Sequence, residues 1–173
     1  RRRRAKGKIR NLETVLAEDP IQGTVGIGHT RWATHGAPTQ TNAHPHKAGR
    51  VCLVHNGIIE NFAELKAELE AEGHVFESQT DTEVVAHLLD HNIASGMAPL
   101  EAFKATLDRL TGAYALAVLI EGERELILGA RRGSPLVVGW GEGEMYLGSD
   151  ALAVGPFTQH ISYLEEGDYV AMT

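Results

Sequence analysis

Residues 113–131 read AYALAVLIEGERELILGAR. Two apolar runs, 113–120 and 125–131, flank an acidic break that contains Gly122. Each run has strand length, and the short glycine-containing break predicts an antiparallel hairpin. Two further hairpins are expected downstream. One joins 136–140 to 145–148 around Gly141 and Gly143. The other joins 161–164 to 169–172 at Glu166-Gly167-Asp168.

Upstream, the apolar period changes to that of a helix. In 61–72 Phe62, Leu65 and Leu69 share a face, Asn61 can cap the start with Glu64 at the capping-box position, and Gly73 suits the end. Helices are also expected at 82–95, with Asp81 or Thr80 as N-cap, and at 99–110, opened by Pro99 and ended by Gly112. A shorter one is expected at 11–19, capped by Asn11 and stopped before Pro20. Short strands are expected at 24–30, 51–55 and 75–78, the second running into a tight turn at Asn56-Gly57. Residues 31–50 read as one long loop, a length that usually signals function. Helices in the middle and hairpins at the end predict an α+β fold with helices packed on sheets.

The 173 residues suit one domain and need no disulfide staple. Cys52 is the single cysteine, which rules out an internal disulfide and favours the cytoplasm. No apolar run approaches a membrane span. The net charge is −7, yet seven of the sixteen basic residues lie in the first ten positions. The remaining 163 residues carry nine basic against twenty-three acidic groups, a net −14. A short basic head on an acidic body does not make a nucleic-acid face. Because the chain opens on arginine with no apolar leader, its front edge is expected to be a cut.

Five features carry candidate chemistry. Arg31 at the head of the long loop offers a planar fork suited to a carboxylate, with Thr34 and His35 as added donors; a polar surface loop around Trp32 fits equally well. The Asn56 amide and the Gly57 N–H could converge on an oxyanion, although Asn-Gly is also a common turn. Asp81 could cap a helix, accept from a substrate ammonium, or do both through its two oxygens. His44 with His46, and His87 with His91, have metal-ligand spacing but lack a third ligand in sequence, so no metal is expected. Cys52 lies in an apolar strand and reads as an inert core residue rather than a nucleophile.

Taken in order, HTRWATHG at 29–36, NAHPH at 42–46, HNGIIEN at 55–61, TDTEV at 80–84, ARRGSPL at 130–136, GSD at 148–150 and LEEGD at 164–168 resemble one family across the chain. It is the glutaminase domain of the class II glutamine amidotransferases, of the glucosamine-6-phosphate synthase type. The resemblance implies a four-layer αββα sandwich of the N-terminal-nucleophile hydrolase type. It implies that Arg31 binds the glutamine α-carboxylate beside Thr34 and His35, and that Asp81 binds the α-ammonium. Asn56 and Gly57 would form the oxyanion hole, and Trp32 would gate the ammonia route. The partners implied are L-glutamine and a sugar-isomerising domain acting on fructose 6-phosphate, in a homodimer of the intact protein, with no cofactor, nucleic acid or membrane.

One departure stands out. The family attacks with a cysteine at the mature N-terminus, and this sequence begins at Arg1. Residues 1–173 are therefore expected to be a glutaminase domain without its front segment, inactive alone, with the basic head as an exposed edge. Two alternatives are a non-catalytic glutamine-binding module and a metallohydrolase using His44, His46 and His29 or His55.

Overall fold

The computed structural model describes residues 1–31 and 35–173. Two antiparallel sheets form its frame. The larger contains β1 (His46–Ala48), β2 (Val51–Ile59), β3 (Gly112–Ile120), β4 (Ile127–Arg132) and β8 (Tyr169–Met172), in the order β1-β2-β3-β4-β8. The smaller contains β5 (Val137–Trp140), β6 (Met145–Gly148) and β7 (His160–Tyr163), in the order β6-β5-β7. The helices are α1 (Ile9–Glu18), α2 (Phe62–Ala71), α3 (Thr82–Ala94), α4 (Pro99–Arg109) and the single turn α5 (Ala151–Val154). None of them is long and apolar enough to cross a membrane.

The apolar stretch 113–120 is the central strand of the larger sheet, with one face buried throughout and the other buried at Ala115. Tyr114, Leu116, Val118 and Ile120 join the core beneath α2, α3 and α4. Ala115, on the opposite face, packs with Leu136, Val138, Leu164 and Met172 between the sheets. Period-two alternation thus divides one strand between two cores. The sheets meet closely at Gly129, where a Cβ would lie 2.8 Å from Leu147 Cδ2 of the smaller sheet.

The α+β reading holds, as do the three central helices. The Gly73 stop is also found: Gly73 has φ +93°, and the His74 N–H donates to Leu69 O at 2.9 Å. Several local expectations are corrected. Asn56-Gly57 does not turn; β2 runs through it to Ile59, pairing Asn56 with Ala115 and Gly57 with Tyr114. Residues 24–30 and 75–78 enter no ladder, the latter because the Glu77 and Ser78 amides donate to the Glu83 carboxylate. The third expected hairpin does not form either. β7 pairs with β5 and β8 with β4, so the two strands belong to different sheets. β1 lies inside the long loop and forms a two-residue hairpin with β2 through Gly49 and Arg50.

The expected caps also go elsewhere. Asn11 lies within α1, its amide donating to Lys6 O. Asn61 bridges to the end of α4, donating to Arg109 O at 2.8 Å and accepting from Thr111 N at 3.0 Å. The basic head is not a strand edge. Arg4 donates to Thr41 O and Ala43 O, and Arg2 to Pro45 O, so its guanidinium groups hold the 41–45 loop.

Truncating Leu116 to Ala should cost about 3 kcal/mol, since Leu116 is fully buried at the centre of the sheet. Leu152→Ala should cost less than about 0.5 kcal/mol, since Leu152 is 86% exposed. Urea unfolding of the two variants checks the difference. A similar midpoint in both would mean that β3 is not the centre of the core.

Candidate functional site

The end of β2 and the start of α3 face each other across a cavity of about 340 Å³. His29, Arg31, His35, His44, Asn56, Gly57, Thr80 and Asp81 all line it. Of the seven residues expected to act, five therefore meet at one place. The other two, Trp32 and Thr34, fall outside the described residues.

Asp81 is 3% exposed and is already in helical conformation, with no side-chain cap bond. Its Oδ2 instead accepts the Ile59 N–H at 2.8 Å. Its Oδ1 has no closer partner among the described residues than His35 Nδ1, at 3.7 Å. A buried carboxylate with one oxygen held by backbone and one facing a cavity can receive a cation. The next residue, Thr82, places its hydroxyl 3.0 Å from His55 Nδ1 and 3.2 Å from His44 Nε2. Glu83 accepts from the Glu77 and Ser78 amides at 2.8 and 2.6 Å. Burial alone would raise its pKa, but the hydrogen bonds from His87, Ser78 and Glu77 outweigh that and bring it to about 2.

Gly57 is fixed by sterics. Its φ is +126°, and a Cβ there would lie 2.0 Å from Ala113 O. No other residue lets β2 pass that carbonyl. The Asn56 Oδ1 is engaged by His29 Nε2 at 2.8 Å, which leaves the amide N–H₂ as its free donor among the described residues. Sequence reasoning takes His29 only as a metal ligand and misses its contact with Asn56, since nothing in one sequence pairs the two.

Arg31 lines the cavity, but its guanidinium is occupied. It donates to Ala37 O at 3.0 Å, Gly36 O at 3.1 Å and His35 O. This closes a small ring within the loop. Asn42, buried, locks the same loop from below by donating to Ala37 O and Gln79 Oε1 and accepting from Gln79 N.

Burial disfavours the charged forms of His44 and His46. Burial, with His29, His46, His55 and Arg31 nearby, pushes His44 down to about 2. Burial, with Arg4, Arg2 and Arg31, takes His46 to about 4 against the pull of Glu83. His46 Nε2 meets the Thr80 hydroxyl at 3.1 Å. Among the described residues, the ligand atoms of His29, His44, His46 and His55 do not converge as a metal requires. Cys52 stands on β2 away from this cavity, with burial raising its thiol pKa, which disfavours a nucleophilic role.

A family model described as a glutamine amidotransferase domain matches residues 29–155. A glutamine–fructose-6-phosphate aminotransferase (isomerizing) of Caulobacter vibrioides is 75% identical over 99% of this chain, which spans 28% of that protein. Among solved structures, a glutamine phosphoribosylpyrophosphate amidotransferase from B. subtilis is similar with TM-score 0.65 and 29% identity, over 83% of this chain and 31% of that one. A second, described as the allosteric regulatory enzyme of purine biosynthesis, gives TM-score 0.70 and 27% identity over 83% of this chain and 32% of that one.

The buried histidines set the acid limit of the fold. A histidine depressed in the folded state favours folding fully above its unfolded pKa of 6.5, and that contribution is lost as pH falls. For His46 the loss runs from 6.5 to about 4, and for His44 it continues to about 2. Glu83 adds a loss of the same sign from 4.5 to about 2. The urea midpoint should therefore drop steadily below pH 6.5, and His46→Gln should flatten the upper part of the slope. Equal slopes in variant and parent would dissociate acid lability from His46.

Proposed function

Since the chain belongs to the glutamine amidotransferase family, we propose that it is the glutaminase part of an isomerising glutamine–fructose-6-phosphate aminotransferase. In this reading it releases ammonia from the side-chain amide of L-glutamine, and a sugar-isomerising domain uses that ammonia on fructose 6-phosphate to form glucosamine 6-phosphate. The intact protein is read as a homodimer. The two stacked sheets and the α2–α4 layer are read as part of a four-layer αββα sandwich.

One observation carries this reading. A buried carboxylate, an arginine fork and the Asn56-Gly57 donor pair line the same cavity. An amino acid has complementary charges at one end, and glutamine has an amide at the other. Asp81 Oδ1 takes the α-ammonium. Arg31 takes the α-carboxylate by exchanging its loop carbonyls for it, since two parallel N–H···O⁻ bonds pair opposite full charges where the carbonyls offer only dipoles. The scissile amide then lies near Asn56.

The chemistry is an acyl transfer. A cysteine thiolate, the N-terminal one that the resemblance implies, attacks the amide carbon. The carbonyl oxygen becomes an oxyanion, stabilised by Asn56 Nδ2–H and the Gly57 N–H. Collapse of the tetrahedral intermediate expels ammonia, and water then releases glutamate from the thioester. His29 acts through Asn56: by holding Oδ1 it keeps the amide N–H₂ turned to the cavity. It is a positioning residue.

In the gene product that carries this sequence, Asn56→Ala should lower the kcat of glutamine hydrolysis by about 10²–10³ with little change in KM. Arg31→Ala should chiefly raise KM. Steady-state kinetics with L-glutamine tests both. Equal effects of Asn56→Ala on kcat and KM would remove Asn56 from the oxyanion role, and an unchanged KM in Arg31→Ala would remove Arg31 from carboxylate binding.

A further inference from the structure

His87 and His91 share one face of α3, one turn apart, and the end of α2 brings two further ligand-bearing residues to His91. The left-handed turn at Gly73 folds the chain back, with Gly73 N–H on Glu70 O at 3.0 Å and His74 N–H on Leu69 O at 2.9 Å. That closure carries Glu72 and His74 to the second half of α3. There Glu72, His74 and His91 each offer one ligand atom, and these atoms all lie within 4.8 Å of one another. No other group of three such residues meets this condition among the described residues.

We propose that Glu72, His74 and His91 bind a zinc ion, tying the end of α2 to α3. The site lies roughly 15 Å along α3 from Asp81, at 1.5 Å per residue. Two imidazoles and a carboxylate are borderline donors that suit zinc, and three protein ligands leave a fourth position for water. Zinc bonds of ~2.0–2.1 Å in a tetrahedron put ligand atoms roughly 3.4 Å apart. His91 Nδ1 and Glu72 Oε2 already stand 3.3 Å apart. The wider pairs close by rotation of side chains that have room to move, since the Glu72 and His91 side chains are 54% and 41% exposed. The same exposure gives the ion a way in.

The surroundings support ligation. The Nδ1 atoms of His74 and His87 are 3.1 Å apart, too close for both to carry a proton. His87 in turn sets its Nε2 3.6 Å from Glu83, the carboxylate held ionised by the 77–78 amides. A ligating histidine is commonly held through its second ring nitrogen by a hydrogen-bond partner; here His87, backed by Glu83, stands in that position behind His74.

Zinc titration of the metal-stripped chain by calorimetry tests the site. The parent should bind one equivalent, and its thermal midpoint should rise with added zinc. His91→Ala and Glu72→Gln change exposed side chains and should leave the circular dichroism unchanged. Each should weaken zinc binding roughly tenfold or more and abolish the thermal shift. The nine histidines of the chain make weak adventitious binding a rival, and the variants discriminate it. Absence of stoichiometric binding in the parent, or unchanged affinity in either variant, overturns the proposal.

Discussion

The Asp81 carboxylate sits 3% exposed at the start of α3 and accepts the backbone N–H of Ile59 from the end of β2. A hydrogen bond to a buried charge is worth roughly 1.5–3 kcal/mol, and a buried carboxylate without partners costs more than that. The contact therefore does two things at once. It fixes the distance between the helix that carries the carboxylate and the strand that carries Asn56 and Gly57. It also uses one carboxylate oxygen for structure and leaves the other toward the cavity.

The two residues that follow extend the same junction. Thr82 satisfies two histidines through one hydroxyl, and Glu83 gathers the 77–78 backbone that would otherwise be unpaired. Polar groups this deep are costly unless paired. The chain meets that cost with short contacts among neighbours in sequence, at a single helix start. The remaining unsatisfied atoms concentrate there too: His29 Nδ1, His35 Nδ1, His44 Nδ1 and His55 Nε2 are buried without a partner among the described residues. Local inconsistency of this kind belongs to sites rather than to packing.

Much of this was legible in the sequence, and the failures have common causes. The helices α2, α3 and α4 announce themselves because period, proline and glycine agree. Arg31, Asn56 and Asp81 were singled out by the chemistry of their side chains and Gly57 by its backbone N–H, and the fold does bring them to one cavity. What failed was the assignment of partners. Asn56-Gly57 looks like a turn because its neighbours in sequence are all that can be seen, whereas Tyr114 and Ala115 hold it extended. Asn61 and Asp81 look like caps for the same reason, and each is claimed by a distant backbone group. Strands β7 and β8 are close in sequence yet belong to separate sheets, because Val137 and Gly129 offer better-placed edges. The 75–78 segment has strand-like residues, but a carboxylate outcompetes any ladder for its amides.

The pairing of β2 with β3 also dictates when the site can exist. Asn56 and Gly57 lie opposite Ala115 and Tyr114, with three helices between them in the chain. Until that long loop closes, nothing holds the two donors extended, and closure over such a distance is slow compared with helix formation. During synthesis, α2 and α3 can be helical while the Asn56-Gly57 pair is still unformed. The geometry of this donor pair thus appears after the helices, and a nascent chain gains it only once residue 120 has left the ribosome.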